Sequence, residues 1–108
     1  MLAKKNRVDT KIVEKVFKAG KFTNSTFLTL KYLPDFGSKT TRISVLAPKS
    51  VAKLAVDRNK LRRRGYQALK KHLALFPVGL VGVLVFKKSI DSVLEVENEI
   101  KIILNKIN

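Results

Sequence analysis

The first apolar cluster along the chain predicts a short amphipathic helix over Lys11–Ala19. Its apolar residues recur at helical spacing and therefore share one face. They are Ile12, Val13, Val16 and Phe17. Gly20 follows directly and is a typical helix stop. We expect this helix to pack its apolar face on the rest of the protein.

The next apolar segments alternate or run continuously, which is typical of strands. Phe22–Leu33 alternates in its second half and predicts a strand, with a shorter strand around Phe22, and Pro34 ends the run. Phe36–Thr41 contains Gly37 and Ser38 and predicts a turn. Two further strands are expected, at Arg42–Ala47 and at Leu80–Phe86. The last of these is a β-branched and nearly continuous apolar run, which indicates a central strand.

Two more helices complete the pattern. A long helix is predicted from Lys49 or Ser50 to about Leu75, where Pro77 and Gly79 end it. A final helix begins near Ser92, because Ser92 and Glu95 have capping-box spacing. Its apolar stripe is Val93, Val96, Ile100, Ile103, Leu104 and Ile107. The order α-β-β-(β)-α-β-α predicts an α+β fold, a two-layer α/β sandwich in a single domain over residues 1–108.

The net charge of the chain indicates which class of partner it binds. The chain has 23 Lys and Arg against eight Asp and Glu, a formal charge of +15. The first 71 residues hold 19 of these basic residues and four of the acidic ones, whereas the remaining 37 are balanced. Repulsion among so many positive charges destabilises the compact state unless a polyanion binds and neutralises them. Nucleic acid is the first candidate partner and an anionic membrane surface the second.

Two absences in the sequence bear on location. The chain has no cysteine, which excludes disulfides and thiolate metal sites and favours an intracellular protein. The N-terminal residues lack an apolar signal-peptide core, and the longest apolar stretch, Leu73–Phe86, is too short to span a bilayer. We expect a cytoplasmic protein with no membrane partner and no obligate protein partner.

The long helix carries a dense basic run. Five of the seven residues from Arg58 to Arg64 are Lys or Arg. On a helical wheel, Arg58 and Arg62 fall in line with the apolar face. That face is formed by Leu54, Leu61, Ala68, Leu69 and Leu73. Arginine on an apolar helix face costs free energy unless an anion pairs with it. Its planar guanidinium group can form two parallel hydrogen bonds with a phosphate. The pattern indicates a helix facing RNA phosphates; the alternative is a charged surface helix with two arginines extending to solvent.

Several segments resemble one known family. Ala55–Arg63, with Arg58-Asn59-Lys60, resembles the arginine-asparagine-arginine signature of bacterial ribonuclease P protein components. Weaker matches run through most of the chain. They are Lys4–Arg7, Val16–Lys21, Leu30–Pro34 and Arg42–Val51. The resemblance implies a left-handed crossover through the long helix, as in the second domain of a small-subunit ribosomal protein, whereas general topology favours a right-handed one.

The resemblance also implies a function. The chain would be the protein subunit of ribonuclease P, assisting an RNA subunit in the endonucleolytic removal of the 5′ leader from precursor tRNA. The implied contacts to the RNA subunit are Lys49, Lys53, Arg58, Asn59, Lys60, Arg62, Arg63 and Arg64. The implied leader contacts are Val13, Phe17, Lys31 and Tyr32, with Val13 standing where the family often has Phe. Further basic contacts are Lys4, Lys5 and Arg7.

A catalytic centre is not evident in the chain itself. His72 is the single histidine and is predicted to lie at the edge of the core. The acidic residues Asp91, Glu95, Glu97 and Glu99 are interpreted as solvated side chains of the last helix. We expect no protein-bound metal, with Mg²⁺ entering through the RNA subunit that performs the hydrolysis. The alternative function is a ribosomal or RNA-assembly protein without an enzymatic partner.

Overall fold

The computed structural model describes residues 10–33 and 40–107. The predicted basic contacts Lys4, Lys5 and Arg7 and most of the predicted turn at Phe36–Thr41 lie outside these ranges. The helices are α1 (Thr10–Ala19), α2 (Ala55–His72) and α3 (Val93–Ile107), and a 3₁₀ turn at Leu73–Leu75 extends α2. The strands are β1 (Lys21–Asn24), β2 (Leu28–Leu33), β3 (Arg42–Leu46) and β4 (Val81–Phe86).

The four strands form one mixed sheet in the order β1-β2-β4-β3. β2 pairs antiparallel with both β1 and β4, whereas β3 pairs parallel with β4. A parallel pair needs a crossover connection, and α2 provides it. The predicted α+β fold is confirmed, with β4 in the interior of the sheet as expected. The hand of the crossover stays a prediction.

Side-chain alternation divides the sheet into two faces. One face packs on α2 and α3 and forms the larger core. Its strand residues are Leu28, Leu30, Ile43, Val45, Leu84 and Phe86. The other face carries Val81 and Val83, which pack with Val16 of α1. Helix α1 therefore covers part of the sheet surface that α2 and α3 leave open.

The long helix begins later than predicted, at Ala55 instead of Lys49 or Ser50. The backbone amides of Val51 and Ala52 donate to the Pro48 carbonyl and form a turn. The Arg58 side chain then donates to the carbonyls of Ala52 and Lys53, at 3.1 and 2.7 Å. These carbonyls, just before the helix, thus accept from a side chain of its first turn, a local contact that the apolar pattern does not show. Leu54, assigned to the apolar face, is 63% exposed.

The strand and the shorter strand around Phe22 that were predicted within Phe22–Leu33 form a hairpin of β1 and β2, and a buried acid on α3 holds its turn. Glu99 Oε1 accepts hydrogen bonds from Ser25 Oγ at 2.9 Å and from the Phe27 amide at 2.7 Å. The interpretation of Glu99 as a solvated acid is therefore wrong. Burial of a carboxylate is tolerated here because donors from the turn satisfy it.

A second acid on α3 also makes a tertiary contact. His72 lies at the edge of the core as predicted, with 12% of its side chain exposed, and its Nε2 is 3.0 Å from Glu97 Oε1. Lys71 Nζ is 3.7 Å from the other oxygen of Glu97. Glu97 thus links the end of α2 to α3, and the prediction of a purely solvated side chain is wrong for it too.

Candidate nucleic-acid interface

The basic run of α2 and the loop before it carry all of the predicted RNA-subunit contacts. We use the term arginine face for Arg58–Arg64 together with Lys49 and Lys53. Lys49, Lys53, Asn59, Lys60 and Arg63 are exposed, whereas Arg58, Arg62 and Arg64 are half-buried. All of the predicted RNA-subunit contacts are therefore at least partly exposed, but they differ in how far they are buried.

Arg58 and Arg64 are engaged within the protein. Arg58 Nη1 donates to the two loop carbonyls that precede α2. Arg64 Nη1 donates to the Ile90 carbonyl at 3.0 Å, which ties α2 to the segment between β4 and α3. Arg58, for which an anionic partner was expected, thus donates to neutral backbone carbonyl oxygens instead. Both side chains stabilise the scaffold on which the remaining basic groups lie.

Arg62 and Arg63 line a hollow of about 400 Å³ with Asn59 and Tyr66. Arg62 Nε is buried and has no hydrogen-bond partner among the described residues. Tyr66 closes the base of the hollow, where its hydroxyl accepts from the Val45 amide at 3.2 Å. A buried donor without an acceptor is costly. The guanidinium groups of Arg62 and Arg63 therefore make this hollow a candidate site for an anionic oxygen.

The opposite side of α2 borders a second hollow, of about 490 Å³, which is more mixed in charge. Lys53, Lys60 and Arg64 line it beside the carboxylates of Asp57 and Asp91. The acids lower the local positive potential, so this hollow is less suited to phosphate than the first. Lys60 and Lys53 are thereby separated from the pair Arg62 and Arg63.

A second candidate surface lies where α1 crosses the sheet. We use the term α1 groove for Val13, Phe17, Lys31 and Phe22. Phe17 is 42% exposed, and Lys31 Nζ lies 4.7 Å from the centre of its ring. Val13 is half-buried against the cluster of Val16 and neighbouring valines. Three of the four predicted leader contacts are therefore together at this surface.

The fourth predicted leader contact, Tyr32, is not there. Tyr32 pairs with Gly82 and packs against the larger core, on the face of the sheet that carries α2 and α3. Adjacent residues of a strand point to opposite faces, so Lys31 faces α1 and Tyr32 faces away. The grouping of Tyr32 with Phe17 is corrected on this ground.

Two residues on the α1 side of the sheet were missed by sequence reasoning. Phe22 is 67% exposed and is the cross-strand partner of Lys31, so both point to the same face. Arg42 of β3 is half-buried, and its Nε has no hydrogen-bond partner among the described residues. The alternation of side chains along each strand shows which residues share a face with Phe22 or Arg42. Only the pairing of the strands shows that this face is the one covered by α1.

Neither a metal cluster nor a membrane span accompanies these surfaces in the described part of the chain. Residues 10–33 and 40–107 contain no group of three or more His, Cys, Asp or Glu that could hold a metal ion. Within the same ranges, no helix is both long and apolar enough to cross a bilayer.

Comparisons with known proteins agree on one family. The family model described as Ribonuclease P matches residues 2–108. A ribonuclease P protein component from Pseudanabaena sp. (strain PCC 6903) is 36% identical over 66 residues, and the match spans 61% of this chain but only 57% of that relative. The solved ribonuclease P protein from Thermotoga maritima superposes with a TM-score of 0.79 at 19% identity, covering 94% of this chain and 97% of the other. That from Staphylococcus aureus superposes with a TM-score of 0.78 at 15% identity, covering 94% of each chain.

Proposed function

Because the chain belongs to the ribonuclease P protein family, we propose that it serves as the protein subunit of ribonuclease P. It binds the catalytic RNA subunit and the 5′ leader of precursor tRNA in the cytoplasm, and it assists endonucleolytic removal of the leader. The observation that carries this proposal is the pair of separate surfaces, one rich in arginine and one with exposed aromatic rings. A folded RNA presents mainly its phosphates, which suit arginine, whereas a single strand presents unpaired bases, which suit aromatic rings.

The arginine face is assigned to the RNA subunit. Arg62 and Arg63 line the first hollow, where their guanidinium groups are suitable donors to a phosphate oxygen. Bidentate arginine-phosphate pairs are short and strong. Arg58 and Arg64 contribute positive charge while they hold the scaffold, so their main effect on binding is positional.

The α1 groove is assigned to the leader. Unpaired bases present their faces to aromatic side chains, and stacking on an aromatic ring tolerates any base. Phe17 offers such a ring, and Lys31 beside it can meet the leader backbone. Tyr32 takes no part in this assignment, because it lies on the other face of the sheet.

Hydrolysis itself is assigned to the RNA subunit, and Mg²⁺ is proposed to act there as the metal that activates water. The single histidine supports this division, because its Nε2 is engaged with Glu97 at the edge of the core. We expect His72→Ala and Glu95→Ala to retain the cleavage step at saturating protein and high magnesium. Loss of cleavage in either variant, with folding and RNA assembly intact, would contradict the assignment.

Reconstitution tests the proposal directly. The chain is mixed with a bacterial ribonuclease P RNA and precursor tRNA at low magnesium, where the RNA alone is slow. We expect the wild-type chain to accelerate 5′-leader removal and Arg62→Ala/Arg63→Ala to require more protein for the same rate. A matched control removes two lysines from the neutral end of the chain, Lys101→Ala/Lys106→Ala. RNA binding without any acceleration of cleavage would favour the ribosomal or RNA-assembly alternative.

A further inference from the structure

Phe22 is an unusual residue for an edge strand. It is 67% exposed on β1, and β1 is the outermost strand of the sheet, paired only with β2 among the described strands. A large exposed aromatic at a sheet edge invites non-specific association, and natural proteins usually place charge there. A single exposed apolar residue is common on protein surfaces. The residues beside Phe22, however, indicate a function for it.

The sheet register aligns Phe22 with the other residues of the α1 groove. Phe22 and Lys31 are direct partners across the β1–β2 pair, and such partners have Cα atoms about 4.5–5.5 Å apart with side chains on one face. Lys31 Nζ lies 4.7 Å from the centre of the Phe17 ring. Lys31 therefore has two aromatic neighbours: its ammonium group lies over the Phe17 ring of α1, and Phe22 of β1 is its cross-strand partner.

This arrangement matches one step of a single-stranded RNA. Two successive bases are joined through a phosphate, and here one lysine neighbours an aromatic residue on α1 and another on β1. Helix α1 carries only one aromatic residue, Phe17, so a second stacking platform has to come from another element. Phe22 is the exposed aromatic that the sheet brings beside Lys31.

We propose that Phe22 is a second stacking platform, so that a single-stranded RNA runs from α1 across Lys31 to the β1 edge with one base on each ring. The occupant is RNA, because the chain carries a formal charge of +15 and exposed lysines, Lys18 and Lys21, lie on either side of the turn that joins α1 to β1. This inference rests on the proposed function and adds to it the path and the length of strand that is bound.

The test uses the full chain and fluorescein-labelled oligouridylates of increasing length, with affinity measured by anisotropy. We expect Phe22→Ala and Phe22→Leu to weaken binding about five- to thirtyfold, only for strands long enough to reach beyond Phe17. Phe22→Tyr retains a ring and should bind within about twofold of wild type. The matched control is Leu94→Ala, which removes an equally exposed apolar side chain, 65% accessible, from α3. Thermal unfolding confirms that each variant is folded.

The outcomes separate this inference from the proposed function. If Phe17→Ala weakens binding and Phe22→Ala does not, at any strand length, the second platform is wrong while the leader assignment survives. If Phe22→Leu binds as well as wild type, a general apolar contact replaces stacking and the proposal is overturned. If sedimentation shows that wild type dimerises and Phe22→Ala does not, the β1 edge is an interface between copies, which also overturns it.

Discussion

Arg58 and Arg63 lie five residues apart on one helix but have different physical roles. Arg58 donates hydrogen bonds to the carbonyls of Ala52 and Lys53. Arg63 is exposed and makes one long contact, 3.4 Å, to the Asn59 carbonyl. A charge count treats the two residues as equal, whereas their partners divide them into a scaffold residue and a surface residue.

Substitution should separate these roles. We expect Arg58→Ala to lower the free energy of unfolding by about 1 kcal/mol, because two loop carbonyls lose a charged donor. Arg63→Ala should leave it within about 0.5 kcal/mol and chiefly weaken RNA assembly. Urea denaturation and RNA titration measure the two effects. Equal stability of both variants would refute the scaffold role of Arg58.

Glu99 is the other residue whose role depends on its partners. We expect Glu99→Ala to destabilise the protein by about 1–3 kcal/mol, because the Phe27 amide and Ser25 hydroxyl lose their shared acceptor in a buried position. Glu95→Ala is the matched control on the same helix, since Glu95 is exposed and should change stability by about 0.5 kcal/mol or less. Similar urea midpoints for the two variants would contradict this account.

At the scale of elements, contacts between neighbours decide where helices and strands meet. α2 approaches the sheet closely at Gly65, where a Cβ atom would lie 2.8 Å from Val45 Cγ1 and 3.2 Å from the Phe86 ring. At its C-terminal end, α2 is joined to α3 through His72, Lys71 and Glu97. The arginine face is thus presented by a helix that is fixed against both the sheet and its neighbouring helix.

The α2–α3 link should be sensitive to acid. The hydrogen bond from His72, with the nearby charges of Lys71 and Lys101, holds the pKa of Glu97 below its ordinary value despite partial burial. A carboxyl with a lowered pKa in the folded state adds stability that is complete above its ordinary pKa and is lost as pH falls through the folded value. We therefore expect the unfolding free energy of wild type to fall more steeply than that of Glu97→Gln between about pH 5 and pH 3. Glu95→Gln should keep the wild-type slope; a wild-type slope in Glu97→Gln would contradict the link.

At the scale of the whole molecule, the basic residues are distributed unevenly along the chain. Residues 1–71 hold 19 of the 23 basic residues, and the described part of that segment builds α1, the first three strands and most of α2. Both candidate surfaces belong to it. The balanced remainder supplies β4 and α3, which pack against the other elements and complete the core.

This positive charge should make RNA binding strongly dependent on salt. If the protein neutralises about six phosphates, log K should fall with log salt at a slope of roughly −4 to −5. Replacing Arg62 and Arg63 with Ala should reduce the slope by about one unit for each phosphate that is no longer neutralised. Lys101→Ala/Lys106→Ala should leave it nearly unchanged. A slope that is unaffected by removal of the Arg62 and Arg63 side chains would exclude the arginine face from the interface.

The sequence by itself determined the element types, the α+β order, the basic helix and the resemblance to one family. These depend on local periodicity, charge and spacing, which are properties of neighbouring residues. The resemblance grouped Val13, Phe17 and Lys31 with Tyr32, whereas the structure places Lys31 beside Phe17 and Tyr32 on the other face of the sheet, and Phe22 was not considered. Both errors have one cause, because a shift of one residue along a strand moves a side chain to the other side of the sheet.

Only the tertiary structure decided which polar groups are engaged within the protein. The carbonyl partner of Arg64 and the donors to Glu99 come from distant segments of the chain, and the carbonyl partners of Arg58 lie in the loop just before its helix. No local pattern distinguishes Glu99 from the exposed Glu95 on the same helix, since their difference arises from packing against the β1–β2 turn. Contacts in the folded chain therefore separated the arginines engaged within the protein, Arg58 and Arg64, from the exposed Arg63.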